Sequence, residues 1–198
     1  MDATEDYEAY RRGLDEVGSD ERNRWYRFRG YYMDLFNPAP GSRILDLGAY
    51  LGANLLHYHE AGHEVVGVEG SAACVADYMQ RTSDMDPRPL MVHGLIEEFQ
   101  ALTRFDAVIC GEILEHVLDV RAVLDKAHEC LRPGGALFIA TPVKAAGSDI
   151  RTVSQEDLKR WLPAAGFDLQ VVYHVAAPPV RGCADQLVAG ALSVESPL

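Results

Sequence analysis

The stretch Ile44-Leu45-Asp46-Leu47-Gly48-Ala49-Tyr50-Leu51-Gly52 constrains the chain most, because an apolar run breaks there into a glycine-containing turn and then a helical pattern. A buried strand feeding a helix through such a turn is a cofactor-binding arrangement. Glycine lets the backbone approach a ligand closely, and the N–H groups at a helix start favour negative or polar ligand atoms. Val65-Val66-Gly67-Val68-Glu69-Gly70 then reads as a second buried strand that ends on a carboxylate. In a nucleotide site such a carboxylate accepts hydrogen bonds from ribose hydroxyls.

The rest of the chain keeps this rhythm. Trp25, Phe28, Tyr32, Leu35 and Phe36 recur at three- and four-residue steps, which predicts an amphipathic helix ended by Asn37-Pro38-Ala39-Pro40-Gly41. Its aromatics read as core-facing or as a lid over a ligand pocket. A helix is expected over 53–61, and a second from the cap Ser71 to about Arg81. Strands follow at about 90–93 and at 105–110. Asp119 caps a helix that Pro133-Gly134-Gly135 stops before a strand at 136–141. Ser154-Gln155-Glu156-Asp157 is a capping box that opens another helix. The last two strands, about 167–174 and 186–193, have no room between them for a crossover helix, so they should run antiparallel.

The balance of 30 acidic against 18 basic residues gives a net charge of -12, a surface that repels a phosphate backbone, so no nucleic-acid partner is expected. No segment approaches a membrane-spanning apolar length and the N-terminus is acidic, so no membrane partner is expected and the cytoplasm is the default. Cys74, Cys110, Cys130 and Cys183 are scattered and mostly inside apolar runs, as for small core residues in a reducing compartment. Oligomeric state is left open.

Asp46-Leu47-Gly48-x-x-x-Gly52, Glu69, Phe105-Asp106 leading to Glu112-x-x-Glu115-His116, and Leu131-x-Pro133-Gly134-Gly135 together resemble a class I S-adenosylmethionine-dependent methyltransferase over about residues 40–192. Gly111-Glu112-Ile113-Leu114-Glu115-His116-Val117 is most similar to the branch with ubiquinone-biosynthesis O-methyltransferases and small-molecule natural-product methyltransferases. The resemblance implies an α/β fold: a Rossmann-like, doubly wound seven-stranded sheet, mostly parallel with an antiparallel last strand and helices on both faces. The chain is expected to be a single domain overall, with an N-terminal helical lid segment, 1–40, ahead of the cofactor-binding body, 41–198.

It also implies that Asp46, Gly48, Ala49 and Gly52 surround the methionine part of S-adenosylmethionine, that Glu69 binds the ribose with Gly70 and Ser71 beside it, that Leu95 and Ile96 flank the adenine, and that Gly111 lies under the sulfonium. The family usually has glycine where this chain has Tyr50, so the loop either avoids positive φ or carries strain of about 1–2 kcal/mol. Many members carry an acidic residue in place of Leu95, and Glu97 is the substitute at hand.

Methyl transfer from a sulfonium is an in-line displacement that depends on alignment, and a hydroxyl acceptor must also lose its proton. His116 is the candidate base, oriented by Glu112 or Glu115, or else a histidine capping the next helix. The expected reaction is O-methylation of a small-molecule acceptor. A small amine as acceptor, or non-catalytic cofactor binding with a partner, are the alternatives, and a nicotinamide oxidoreductase shares the early turn. If 112–116 made a helical turn, Glu112, Glu115 and His116 would share one face and permit a divalent metal. No metal is assigned, because no further ligand stands out downstream. The acceptor pocket is expected from the N-terminal 40 residues and the 143–153 and 176–184 loops, with Trp25, Tyr26, Tyr31, Tyr50 and Tyr173 as walls.

Overall fold

The protein is described here by a computed structural model covering residues 35–144, 149–176 and 185–194. The lid expectation and the walls Trp25, Tyr26 and Tyr31, with Cys183, lie outside these residues.

Strands β1 (Arg43–Leu47), β2 (Glu64–Glu69), β3 (Leu90–His93), β4 (Phe105–Gly111), β5 (Leu131–Pro142), β6 (Phe167–Val175) and β7 (Gln186–Ser193) form one sheet in the order β3-β2-β1-β4-β5-β7-β6. The first five run parallel, and β7 is antiparallel to both β5 and β6. Helices α1 (Ala53–Glu60), α2 (Ala72–Arg81), α3 (Val120–Cys130) and α4 (Gln155–Ala164) connect them. The sheet and its antiparallel final strand match the Rossmann-like expectation.

Alternate residues of each central strand feed opposite cores, as a two-residue period requires. Leu45, Leu47, Val108 and Cys110 join Val123, Leu124, Leu158 and Leu162 of α3 and α4. Ile44, Ala107 and Ile109 join Leu55 and Tyr58 of α1 and Tyr78 of α2. A hydrophobic strand run here is therefore a strand covered on both faces.

One boundary differs from the sequence reading. Leu131 already pairs with Phe105, the ladder resumes at Ala107 with Ala136, and residues 132–135 bulge out between them with Gly134 at φ 72°. The glycine pair thus marks a bulge inside β5 rather than its start. A shallow cavity of about 190 Å³ lies against β5, β7 and β6 under Phe36, away from the parallel strands' carboxyl ends.

The strand order reverses between β1 and β4, which return on opposite sides of the sheet. The crevice outside their carboxyl ends is where open α/β sheets take ligands.

Candidate active site

The glycine turn after β1 is pinned to the end of β2. Gly48 N and Ala49 N both donate to Val68 O, at 2.9 and 3.0 Å, and Tyr50 N donates to Glu69 Oε2 at 2.7 Å. Gly48 and Gly52 both sit at φ 78°. A Cβ on Gly52 would lie 2.4 Å from the ring of Tyr78, whose hydroxyl is fixed on Pro89 O at 2.8 Å. Glycine is required there for space as well as for backbone conformation.

Tyr50 does adopt positive φ, 50°, in the left-handed region. The strain is compensated locally, since that conformation delivers its N–H to Glu69. The Glu69 carboxylate is buried, 7% exposed, and its other oxygen accepts from Ser71 N at 2.7 Å. Two backbone donors, one on each oxygen, fix the plane of the carboxylate. Gly70 is braced by His93, whose Nε2 lies 3.2 Å from its carbonyl.

Beneath the turn, Asp46 is fully buried and accepts from Asn54 Nδ2 at 3.1 Å. Burial and the Asp46 charge push the neighbouring Cys110 thiol up, which keeps it a neutral core group. On the far side of the crevice, Gly94 N bonds to Glu69 O at 3.0 Å, and the turn after it places Leu95 half-buried and Ile96 buried. Glu97 is exposed there.

After β4, Gly111 is buried and Glu112 turns the chain at φ 53° with its N–H on Ala140 O at 2.7 Å. Residues 114–116 form a turn, so Glu112, Glu115 and His116 are not three positions on one helix face. Among the described residues, the group close enough to share an ion is instead Glu115, His116 and Asp149, with ligand atoms within 4.8 Å of one another. Asp149 is the downstream acidic group that sequence reasoning missed. His116 Nδ1 lies 3.5 Å from Asp149 Oδ1, and both side chains are largely buried.

Glu115 is 1% exposed, and Thr141 Oγ1 donates to its Oε2 at 3.2 Å. Burial first, then repulsion from Glu112 and Asp149, pushes its pKa up to about 8, so its carboxyl is largely protonated at neutral pH. A divalent ion at this cluster would have to displace that proton. Two further groups escaped the sequence: Ile150 N donates to Glu115 O at 2.9 Å, and the Arg151 guanidinium donates to carbonyls of the same turn. They are single loop residues whose partners are 33 to 37 positions away, so no periodicity exposes them.

Among the residues expected at the cofactor, the structure brings Asp46, Gly48, Ala49, Gly52, Glu69, Gly70, Ser71, Leu95, Ile96 and Gly111 to one edge of the sheet. Tyr173 is exposed on β6 and borders the cavity under Phe36 instead.

Comparison with known proteins gives a consistent result. A family profile described as a methyltransferase domain matches residues 20–172. A ubiquinone biosynthesis O-methyltransferase of Azorhizobium caulinodans is 29% identical over 180 residues, covering 79% of this chain and 70% of that protein. Other relatives of that name, from Chelativorans and Bradyrhizobium, are 32% and 33% identical, and the chain spans 51% of their length. The 1,6-didemethyltoxoflavin-N1-methyltransferase of Burkholderia thailandensis, solved with 1,6-didemethyltoxoflavin and S-adenosylhomocysteine, superposes with a TM-score of 0.76 at 21% identity, over 98% of this chain and 92% of that one.

Proposed function

Because this chain belongs to the class I S-adenosylmethionine-dependent methyltransferases, we propose that it moves a methyl group to an oxygen of a small-molecule acceptor, with His116 taking the acceptor's proton. The observation that carries this reading is the His116–Asp149 pair, 3.5 Å apart at the carboxyl end of β4.

The crevice fits the cofactor. A buried carboxylate, Glu69, is held rigid by Tyr50 N and Ser71 N at the end of β2, where a ribose diol would be bound. Gly48 and Gly52 expose backbone beside it, with Asp46 and Ala49, and Leu95 and Ile96 offer an apolar edge for adenine. When bound, the sulfonium supplies an electrophilic methyl group.

The chain's own contribution is alignment and proton removal. An imidazole whose Nδ1 faces a carboxylate carries its lone pair on Nε2, and the imidazolium formed on proton uptake is stabilised by Asp149. The protonated Glu115 matters here. Its carboxyl is largely neutral at about pH 7, so Asp149 is the carboxylate that faces the ring. Asp149 thus takes the orienting role expected of a glutamate.

A small amine as acceptor is the second reading, favoured by the carboxyl groups of Glu115 and Asp149 clustered with His116 and by the N-methyltransferase with the same fold. Calorimetric titration with S-adenosylmethionine and S-adenosylhomocysteine, with and without magnesium, is the first test, with Glu69→Ala as control. A panel of phenols, catechols and amines is then assayed with wild type and His116→Gln. On the O-methyl reading His116→Gln loses about 10²-fold or more of kcat with cofactor affinity intact. Turnover of amines alone, insensitive to that substitution, would transfer the assignment to nitrogen.

A further inference from the structure

We propose that Arg151 is a positioning residue for His116, and that Asp149, Ile150 and Arg151 act as one latch between the segments that follow β4 and β5. The inference rests on the reading of His116 as the base and adds the groups that set its ring.

The turn that carries His116 has no helical ladder to keep its shape. It starts at a left-handed non-glycine residue, Glu112, and residues 114–116 make a single turn, closed by His116 N on Ile113 O at 3.0 Å. Its carbonyls therefore need partners from elsewhere. Arg151 supplies them with one planar group: Nη1 donates to Leu114 O at 3.3 Å and to Val117 O, and Nη2 donates to Leu118 O at 3.0 Å. Leu114 and Val117 enclose Glu115 and His116 in sequence, so a single guanidinium ties the turn on both sides of the histidine.

The neighbours of Arg151 continue the attachment. Ile150 N bonds to Glu115 O at 2.9 Å, and Asp149, with a side chain 8% exposed, meets His116 Nδ1. Three consecutive residues thus fix the backbone before the histidine, the ring itself, and the backbone after it. Guanidinium is permanently charged and presents its donors in a fixed fork, whereas a lysine ammonium is a point charge that cannot span the same carbonyls. Arg151 reaches the backbone of the turn and acts on chemistry only through the ring that the turn carries.

The test uses the full chain labelled with ¹⁵N-histidine, the His116 ring signals being assigned by their loss in His116→Gln. Wild type should show the tautomer protonated at Nδ1. In Arg151→Ala the His116 signals should move toward a mixture of tautomers, with the His63 signals and the calorimetric affinity for S-adenosylhomocysteine unchanged. Millimolar guanidinium chloride should restore the wild-type signature, and urea at the same concentration should not.

Unchanged His116 signals in Arg151→Ala would overturn the latch. So would a joint displacement of all histidine signals that guanidinium fails to repair, which marks a purely structural role. If the alanine variant does not fold, Arg151→Lys is read in the same way, and wild-type signals there also reject the proposal. Failure of the base reading looks different: His116→Gln would keep methyl transfer while the dependence of the ring signals on Arg151 persisted.

Discussion

At Glu115, burial opposes ionisation strongly enough to be read in stability. The side chain has a pKa pushed from 4.5 up to about 8, first by burial and then by Glu112 and Asp149, so the folded state keeps a proton that the unfolded chain releases. The stability tied to this proton is complete below about pH 4.5, declines as pH rises, and is lost through about pH 8. Within that window each pH unit costs up to about 1.4 kcal/mol. Glu115→Gln is neutral at every pH, so its melting temperature should gain on wild type steadily from pH 5 to pH 8 in thermal melts. A gap that stays constant across that range rules the argument out. A second residue-scale expectation concerns Glu69, both of whose oxygens accept backbone N–H groups. Glu69→Gln turns one acceptor into a donor facing a donor, at a cost of about 1–3 kcal/mol. Titration with S-adenosylhomocysteine should show affinity reduced by about 5- to 140-fold. Glu69 was legible because a carboxylate ending a buried strand is an exception to the apolar pattern. Asp149 and Arg151 were not, because a loop residue carries no periodic signal and its role exists only once β4 and β5 lie side by side.

Elements were legible to the degree that burial imposes a period. β2 and β4 are buried on both faces and read as continuous apolar runs, and α3 and α4 show their inward stripes behind the caps Asp119 and Ser154. β5 was misjudged at its start because its first paired residue, Leu131, is followed by a bulge whose proline and glycines look like a simple turn. The connection from β1 to α1 is the tightest element junction at the site, and Gly52 shows why. An added Cβ there would sit 2.4 Å from Tyr78 Cδ2, a ring held by its own hydrogen bond and by the core under α2, at a backbone φ of 78°. Gly52→Ala should therefore combine left-handed strain of about 1–2 kcal/mol with an overpacking cost of about 1–3 kcal/mol. Urea denaturation should give a midpoint lowered accordingly with an unchanged m-value. A midpoint equal to wild type would mean that α1 and α2 can move apart, and would remove the steric reason for this glycine.

At the scale of the molecule, the antiparallel ending followed from the short connection between the last two strands, but the placement of β7 between β5 and β6 did not. Strand alternation fixes which elements exist, whereas insertion into a sheet is decided by pairing between residues far apart in sequence. The order that results gathers the ends of β1, β2 and β4 into one crevice, and a ligand there touches turns that follow three different strands. Such a ligand should stabilise the fold as a whole, because those turns come apart when the sheet does. For S-adenosylhomocysteine at 100 times its Kd the gain is about 2.7 kcal/mol. A domain of this size shifts by about 2–4 °C per kcal/mol, so Tm should rise by about 5–11 °C. Glu69→Ala should lose the shift, and a reduced nicotinamide dinucleotide at equal concentration should give none. The second control is decisive because the glycine turn and the acidic residue after β2 are common to both cofactor classes. A Tm raised by the dinucleotide and not by S-adenosylhomocysteine would mean that these shared features had been assigned to the wrong ligand. A rise with S-adenosylhomocysteine that depends on Glu69 ties the cofactor to this carboxylate, and leaves the acceptor to be sought at His116.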